Sequence, residues 1–407
     1  MDDISAPANL DSLESIGKRF DALTQWLETY WPFVRERPFA KLTLSWEAID
    51  KELSRACRAL DWPSIRRMES SPSAWESAPE AYRRLLHESI VQSRVDSIRA
   101  RVQPVPRPRH IPERKWQQVL HLRKALQPHM QMGARIIDWC GGKGHLGRTL
   151  GVQLNSPVVV LERQAHLCKA AERLAQHTHV DLSARVVDVL STPIQLKHED
   201  HLVGLHACGQ LTDRLLHVAH RNNIRFAAVA SCCYHATKNG TFYPQSRMAQ
   251  HTAVLPIDRH TLRLTTADEV IARPTIRRRR EREHAFRLGL DLLLREASGI
   301  DEYQPIPSVP GALVDGSFES FCHTLAQLHD LKLPVNLPIA RAERAGWERS
   351  KHARGLGLVR GLFRRPLELW LVLDRALAAL DAERQVQVFA FCDRHVTPRN
   401  LLLLSTV

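Results

Sequence analysis

The sequence predicts an α/β protein built on a doubly wound, mostly parallel sheet, and three observations carry that expectation. Short apolar runs of strand length alternate with stretches of helical periodicity through the middle of the chain. The first run, Ile136-Ile137-Asp138, opens into a turn crowded with Gly141, Gly142 and Gly144. The second, Val158-Val159-Val160-Leu161, closes on a carboxylate, Glu162.

Before the glycine turn, residues 10–103 read as all-helical. Leu10 to Tyr30, Trp46 to Leu60 and Trp75 to Val102 place apolar residues at steps of three and four. The run Pro104-Val105-Pro106-Arg107-Pro108 cannot continue a helix and is expected to be a hinge. Trp116 to about Gln127 then reads as a helix leading to the first strand. A helix from His145 to about Leu154 follows the turn.

Ala184 to Val189 reads as a third strand, with Asp188 near its end. The fourth runs from His201 to Leu205 and leaves through His206-Ala207-Cys208-Gly209; a helix from Leu211 to His220 follows. Phe226 to Ala230 is the fifth, leaving through Ser231-Cys232-Cys233-Tyr234-His235. Residues 248–355 read mostly as helices around a proline-rich loop, Tyr303 to Pro310. A last helix, Leu367 to Leu380, and two further strands, Val386 to Cys392 and Asn400 to Leu404, complete the pattern. The expected organisation is a helical N-terminal region (1–105), the first five strands (106–247), an insertion (248–355) and the completion of the sheet (356–407).

The turn after the first strand has a physical reading. Glycines adopt tight-turn angles cheaply and let a ligand lie on the backbone at the positive end of the next helix. A carboxylate closing the second strand can accept hydrogen bonds from both ribose hydroxyls. The acid ahead of the glycines, Asp138, would repel a pyrophosphate but suits the cationic amino group of S-adenosylmethionine.

The segment Asp138-Trp139-Cys140-Gly141-Gly142-Lys143-Gly144 resembles motif I of class I methyltransferases, with Cys140, a small residue, in place of the first glycine. GKGHL at 142–146, LHACGQLTD at 205–213 and SCCYH at 231–235 are similar to the methyltransferase-like proteins that carry GKGHLS, LHxCGDLT and SCCY motifs. Related signatures occur in tRNA acceptor-stem 2′-O-methyltransferases. The resemblance covers roughly 110–247 and returns at 363–377 and 391–404. Gln210 stands where that pattern has Asp.

The resemblance implies a Rossmann-like seven-stranded sheet, S-adenosylmethionine as cofactor and methyl transfer as the reaction. It implies a cofactor site of Asp138, Cys140, Gly141, Gly142, Gly144, His145 and Leu146, then Glu162 and Arg163, then Asp188 and Val189, with His206 closing it. Arg114, Lys115 and Gln118, on the helix before the first strand, are candidates to cover one side of the cofactor.

The acceptor is expected above the fourth strand, and the neighbouring fourth and fifth exits supply the candidate catalytic residues His206, Cys208, Cys232, Tyr234 and His235. His206 ordinarily titrates near neutrality and could be a general base, or a hydrogen-bonded structural histidine. Cys208 and Cys232 are similar in position to the cysteine pair of RNA cytosine-C5 methyltransferases, or are small apolar packing at strand ends. No N/D-P-P-Y/F/W motif follows the fourth strand, which argues against N6-methylation of a base. His206, Cys208, Cys232 or Cys233, and His235 could converge on zinc, but their spacing is not that of a zinc finger and no resident metal is expected.

Composition bounds the rest. The chain has 407 residues, 44% hydrophobic and 25% charged, as in soluble globular proteins. No apolar run approaches the ~18 residues of a membrane span. The acidic N-terminus lacks a signal core. Cys140, Cys208, Cys232 and Cys233 at strand ends suit reduced thiols and a cytoplasmic protein. A net charge of +13 favours an anionic partner, with RNA the natural candidate.

Two basic groups stand out: Arg101, Arg107, Arg109, Arg114 and Lys115, and Arg273, Arg277, Arg278, Arg279, Arg280, Arg282 and Arg287. A solvated basic face is the alternative reading. The expected function is methylation of tRNA or rRNA. A protein methyltransferase and a non-catalytic cofactor- or RNA-binding scaffold are the alternatives.

Overall fold

The computed structural model describes residues 10–70, 78–98, 105, 107–108, 110–238, 240–252, 255–267, 274–307, 309–334, 336 and 338–407. Its chain divides into two compact units. One comprises Met1–Glu28, Val91–Thr266 and Arg365–Val407; the other comprises Thr29–Ile90 and Ala267–Arg364. The helical segments either side of the sheet sequence thus form one unit together, whereas the helix Leu13–Thr29 falls almost wholly in the sheet unit.

The sheet unit holds β1 (Ile136–Trp139), β2 (Val158–Glu162), β3 (Leu182–Val186), β4 (His201–Leu205), β5 (Phe226–Ala230), β6 (Gln385–Ala390) and β7 (Leu401–Thr406). Their order is β3-β2-β1-β4-β5-β7-β6. The first five strands are parallel, and β7 runs antiparallel to both β5 and β6. Every residue of β5 is buried, because a central strand with helices on both faces has no solvent side to show. The helix His145–Leu154 and the helix Gln210–Arg221 match the expected spans to within a residue.

Asp188 lies past the end of β3, in the loop that leaves it. The helical pattern expected through Val102 stops at Gln92: Ser97 instead forms a parallel bridge with Ala390, and Asp96 and Ile98 exchange backbone hydrogen bonds with the same residue. β6 would otherwise leave its edge unpaired, and this short strand-like segment covers it.

Trp116, Val119, Leu120 and Leu126 of the helix Glu113–Leu126 pack with Ile136, Leu146, Val160 and Phe226 in one core. The helix Arg364–Leu380 is held from several sides. Trp370 Nε1 donates to Thr24 Oγ1 at 2.8 Å, and the Trp370 ring stacks on Phe20 with centroids 5.0 Å apart. Arg365 donates to Asn400 Oδ1 at 2.7 Å, so the PRN segment before β7 anchors the strand to this helix.

In the second unit the helices Pro274–Ser298 and Ile339–Leu362 lie against each other at two glycines. A Cβ on Gly346 would come within 2.5 Å of the Ala285 carbonyl oxygen. Phe286, Leu290, Phe318 and Phe321 fill the core beside them. Glu281 pairs with Arg66 and Arg354, and Asp291 with Arg295 and Arg349. Among the described residues, no helix is long and apolar enough to cross a membrane.

Candidate functional site

The exits of β1, β2, β4 and β5 lie side by side in the sheet, and most of the predicted site residues follow them; Asp188 and Val189 follow β3. Asp138 is only 2% exposed, and its Oδ2 accepts the Gly147 backbone N–H at 2.8 Å. The carboxylate therefore lies under the turn, against the first turn of the helix His145–Leu154, where orphan N–H groups favour an anion. Burial pushes its pKa up to about 6, against the Gly147 N–H and the charge of Lys115.

The glycines answer to that carboxylate. A Cβ on Gly141 would lie 2.5 Å from the Asp138 carboxyl carbon. Gly142 and Gly144 take φ values of 60° and 64°. Cys140 also has a positive φ, 55°. The cysteine is small enough in volume, but the turn imposes a left-handed backbone that costs an L-residue about 1–2 kcal/mol.

Glu162 closes the turn from the β2 side. Its Oε2 accepts the Gly142 N–H at 3.2 Å and its Oε1 the Gln164 N–H at 3.0 Å. Arg163 beside it is exposed. Asp188 Oδ1 accepts the Leu190 N–H at 3.0 Å, fixing the loop after β3; Val189 is buried and its carbonyl accepts from Arg214 at 3.2 Å. His145 and Leu146 begin the helix and are both buried, and Arg148 hydrogen-bonds His145 Nδ1 at 3.1 Å. Burial lowers the His145 pKa to about 4.

His206 leaves β4 with φ 66°. Its Nε2 donates to Gln118 Oε1 at 2.7 Å, while the Gln118 amide nitrogen donates to the Val396 carbonyl at 3.5 Å. That pair of bonds sets the tautomer: Nε2 carries the proton, and Nδ1 keeps a lone pair that is buried without a hydrogen-bond partner. Burial first, and the Lys115 charge second, push its pKa down to about 4. His206 is thus neutral at pH 7 and a weaker base than an ordinary histidine. Of the three candidates, Gln118 hydrogen-bonds His206, Lys115 and Arg114 act on it by charge, and the Arg114 Nε also donates to the Val396 carbonyl at 3.1 Å.

Gly209 joins the two exits. Its φ of 55° and ψ of −123° suit glycine alone, and a Cβ there would lie 2.1 Å from the Ala236 carbonyl oxygen. That carbonyl accepts the Gln210 N–H at 3.2 Å. The close approach brings Cys208 to Cys232 and Cys233, whose three Sγ atoms lie within 4.8 Å of one another. Cys233 was outside the expected catalytic set and belongs to this cluster. Hydrogen bonds from Cys208 and Cys232 hold the Cys233 thiol well below its ordinary pKa; those same contacts drive Cys232 up.

Tyr234 is 2% exposed, with its ring under the Arg375 guanidinium at 5.3 Å and its hydroxyl buried without a partner. It lines a cavity of about 710 Å³ with Gln210, Asp213, Lys238, Phe242 and Arg375. His235 is half-buried and burial lowers its pKa.

The basic groups divide. Arg107 donates to the Ile111 carbonyl at 2.7 Å; Arg101 and Arg109 lie outside the described residues, as does Arg273. Arg279 binds Asp315, Arg282 the Gly316 carbonyl, and Arg287 the Ile306 and Pro307 carbonyls. Arg278 and Arg280 are exposed and Arg277 half-buried.

Seven strands in this order with β7 reversed form the mixed α/β sheet that the resemblance to class I methyltransferases implies. Residues 114–240 match a family described as Methyltransferase domain. A Drosophila melanogaster protein, a glutathione S-transferase C-terminal domain-containing protein homolog, is 31% identical over 130 residues, 30% of this chain and 20% of its own. A Xenopus laevis protein of the same description is 25% identical over 209 residues, 50% of this chain and 30% of its own. The chain thus spans less than a third of the length of these curated relatives. Among solved structures it is similar to a Pyrococcus abyssi tRNA (uracil-54, C5)-methyltransferase with bound S-adenosyl-L-homocysteine. That match has 19% identity, covers 28% of each chain and has a TM-score of 0.25. A Haemonchus contortus phosphoethanolamine N-methyltransferase 2 with S-adenosyl-L-methionine matches at 18% identity, 28% of this chain and 27% of that one, TM-score 0.25.

Proposed function

We propose that this chain is an S-adenosylmethionine-dependent methyltransferase that acts on RNA, tRNA or rRNA being the substrate class. One observation carries the cofactor: from two adjacent strand exits, Glu162 holds the glycine turn at the Gly142 N–H and Asp138 holds the helix that follows it at the Gly147 N–H. An acid at the first exit suits a sulfonium amino acid and repels a pyrophosphate. The methionine part would lie on the turn at Cys140–Gly144, the ribose by Glu162 and Arg163, and the adenine by Asp188 and Val189.

S-adenosylmethionine, when bound, would supply a methyl group to an acceptor in line with its carbon–sulfur bond, with a protonated acceptor giving up its proton. The residues at the β4 and β5 exits would align that acceptor. His206 Nδ1, with its free lone pair, is the base within the cluster for an acceptor that is protonated. The net charge of +13 and the exposed Arg278 and Arg280 support a polyanionic substrate. The cavity beside Tyr234, with Phe242, Arg214 and Lys238 in its walls, offers a base both a stacking surface and positive charge. All eight cysteines are free thiols, which fits a reducing, cytoplasmic setting.

Calorimetry with S-adenosylmethionine tests the cofactor site: Asp138→Ala and Glu162→Ala are each expected to weaken binding at least tenfold, and unchanged affinity in both would refute it. Radiolabelled methylation of total RNA and total protein from a deletion strain tests the acceptor. Label lost on RNase treatment supports RNA; label that resists RNase and is lost to protease would make the chain a protein methyltransferase.

A further inference from the structure

Cys208, Cys232 and Cys233 form a trio that methyl transfer does not require. Their three Sγ atoms lie within 4.8 Å of one another, and the Cys232 and Cys233 sulfurs are 3.6 Å apart. A tetrahedral zinc ion with Zn–S bonds of ~2.3 Å holds its sulfurs roughly 3.8 Å from each other. The trio therefore already has the spacing of one face of a zinc–thiolate tetrahedron. A disulfide between any two would need them at ~2.05 Å.

The elements that hold the trio do so independently of any ion. Cys208 follows β4, Cys232 and Cys233 follow β5, and the parallel pairing Leu205↔Ala230 sets the two exits level. Gly209 lets the exits touch at Ala236. The Cys208 thiol donates to the His206 carbonyl at 3.2 Å, and Thr212 Oγ1 meets Ser231 Oγ at 2.8 Å beneath. His206, two residues before Cys208, also buries an Nδ1 lone pair that has no donor, its other nitrogen being fixed by Gln118.

We propose that Cys208, Cys232 and Cys233 bind one zinc ion through three thiolates, leaving the fourth position to water or another exogenous ligand. Three protein ligands and an open position is the arrangement of reactive rather than purely structural zinc sites. Soft thiolates also select zinc over magnesium or calcium. The ion would sit beside the proposed acceptor position, yet the proposal does not depend on the methyltransferase reading, because its readouts are metal content and a spectrum.

The test uses the full chain purified under reducing conditions from zinc-supplemented medium. Elemental analysis is expected to find one zinc per chain. Replacement by Co²⁺ is expected to give intense thiolate-to-cobalt charge-transfer absorption. Cys208→Ser, Cys232→Ser and Cys233→Ser combined should abolish both signals, whereas Cys168→Ser and Cys392→Ser, buried elsewhere, should keep them. Zinc below about one-tenth per chain after dialysis against zinc and reductant would overturn the proposal. So would metal retained in the triple variant. Should that variant fail to fold by circular dichroism, the wild-type cobalt spectrum decides: without thiolate charge transfer the site does not exist.

Discussion

Replacing Gly209 by alanine should be the most damaging single methyl addition in the sheet unit. Three costs add there. The backbone sits at φ 55°, ψ −123°, where an L-residue is strained by about 1–3 kcal/mol. The new Cβ would lie 2.1 Å from the Ala236 carbonyl oxygen and 2.6 Å from its carbon, and these are backbone atoms that cannot rotate away. Forced repacking of that kind costs about 1–3 kcal/mol. Separating the loops also breaks the Gln210 N–H bond to Ala236, about 1 kcal/mol more. The total of about 3–7 kcal/mol should lower Tm by roughly 10–20 °C in a unit of this size. Gly142→Ala is the control: its φ is 60°, but nothing lies within 4 Å of the added Cβ. That variant should lose only about 1 kcal/mol. Thermal unfolding by circular dichroism, with wild type and both variants in parallel, decides. A Gly209→Ala protein melting within two or three degrees of wild type, or a Gly142→Ala protein melting lower, would refute the argument.

Three further outcomes are expected. Asp374 accepts the Ser246 N–H at 2.9 Å, its hydroxyl at 2.8 Å and the Gln245 N–H at 2.9 Å, so Asp374→Ala strands buried donors; urea denaturation should show a loss of about 3 kcal/mol, and a loss under 1 would contradict it. His145, His201 and His206 each have a folded pKa of about 4 against 6.5 unfolded, so the stability of their neutral forms is present above 6.5 and lost as pH falls towards 4. Asp138, raised to about 6, and Asp374, also raised by burial, work in the opposite sense, their contributions being lost as pH rises, but these two acids do not offset the three histidines; Tm measured from pH 7 to pH 4 should fall, and a flat or rising profile would count against the buried neutral histidines. In the second unit Gly346→Ala should cost about 1–3 kcal/mol by forcing two helices apart at the Ala285 carbonyl; wild-type stability in this variant would mean the helices do not meet there.

Much of the sheet unit was legible in the sequence, for a local reason. Central parallel strands are buried on both faces, so Val158–Leu161 and Phe226–Ala230 show as unbroken apolar runs. The turn announced itself through glycines, whose spacing is fixed by the Asp138 carboxylate and the left-handed backbone. What was not legible depends on distant partners. Nothing near His206 in sequence points to Gln118, 88 residues earlier, yet that bond decides its tautomer. Cys140 reads as a mild replacement by volume, and its strain shows only in φ. Helical periodicity within 29–90 and within 267–364 says nothing of which helix covers which, so their joining into one unit could not be read. The arginine run looked like a uniform basic face, but Arg279, Arg282 and Arg287 are spent on intrachain bonds.

The placement of β7 between β5 and β6 has a consequence for how the molecule is made. As translation proceeds, Phe226–Ala230 emerges from the ribosome about 170 residues before Leu401–Thr406, the strand that pairs with its free side. Until then β5 presents an all-apolar, unpaired edge, the kind that recruits other strands. The nascent chain should therefore engage holdase chaperones through this segment, and synthesis stalled between the two strands should yield aggregates rather than a smaller folded protein.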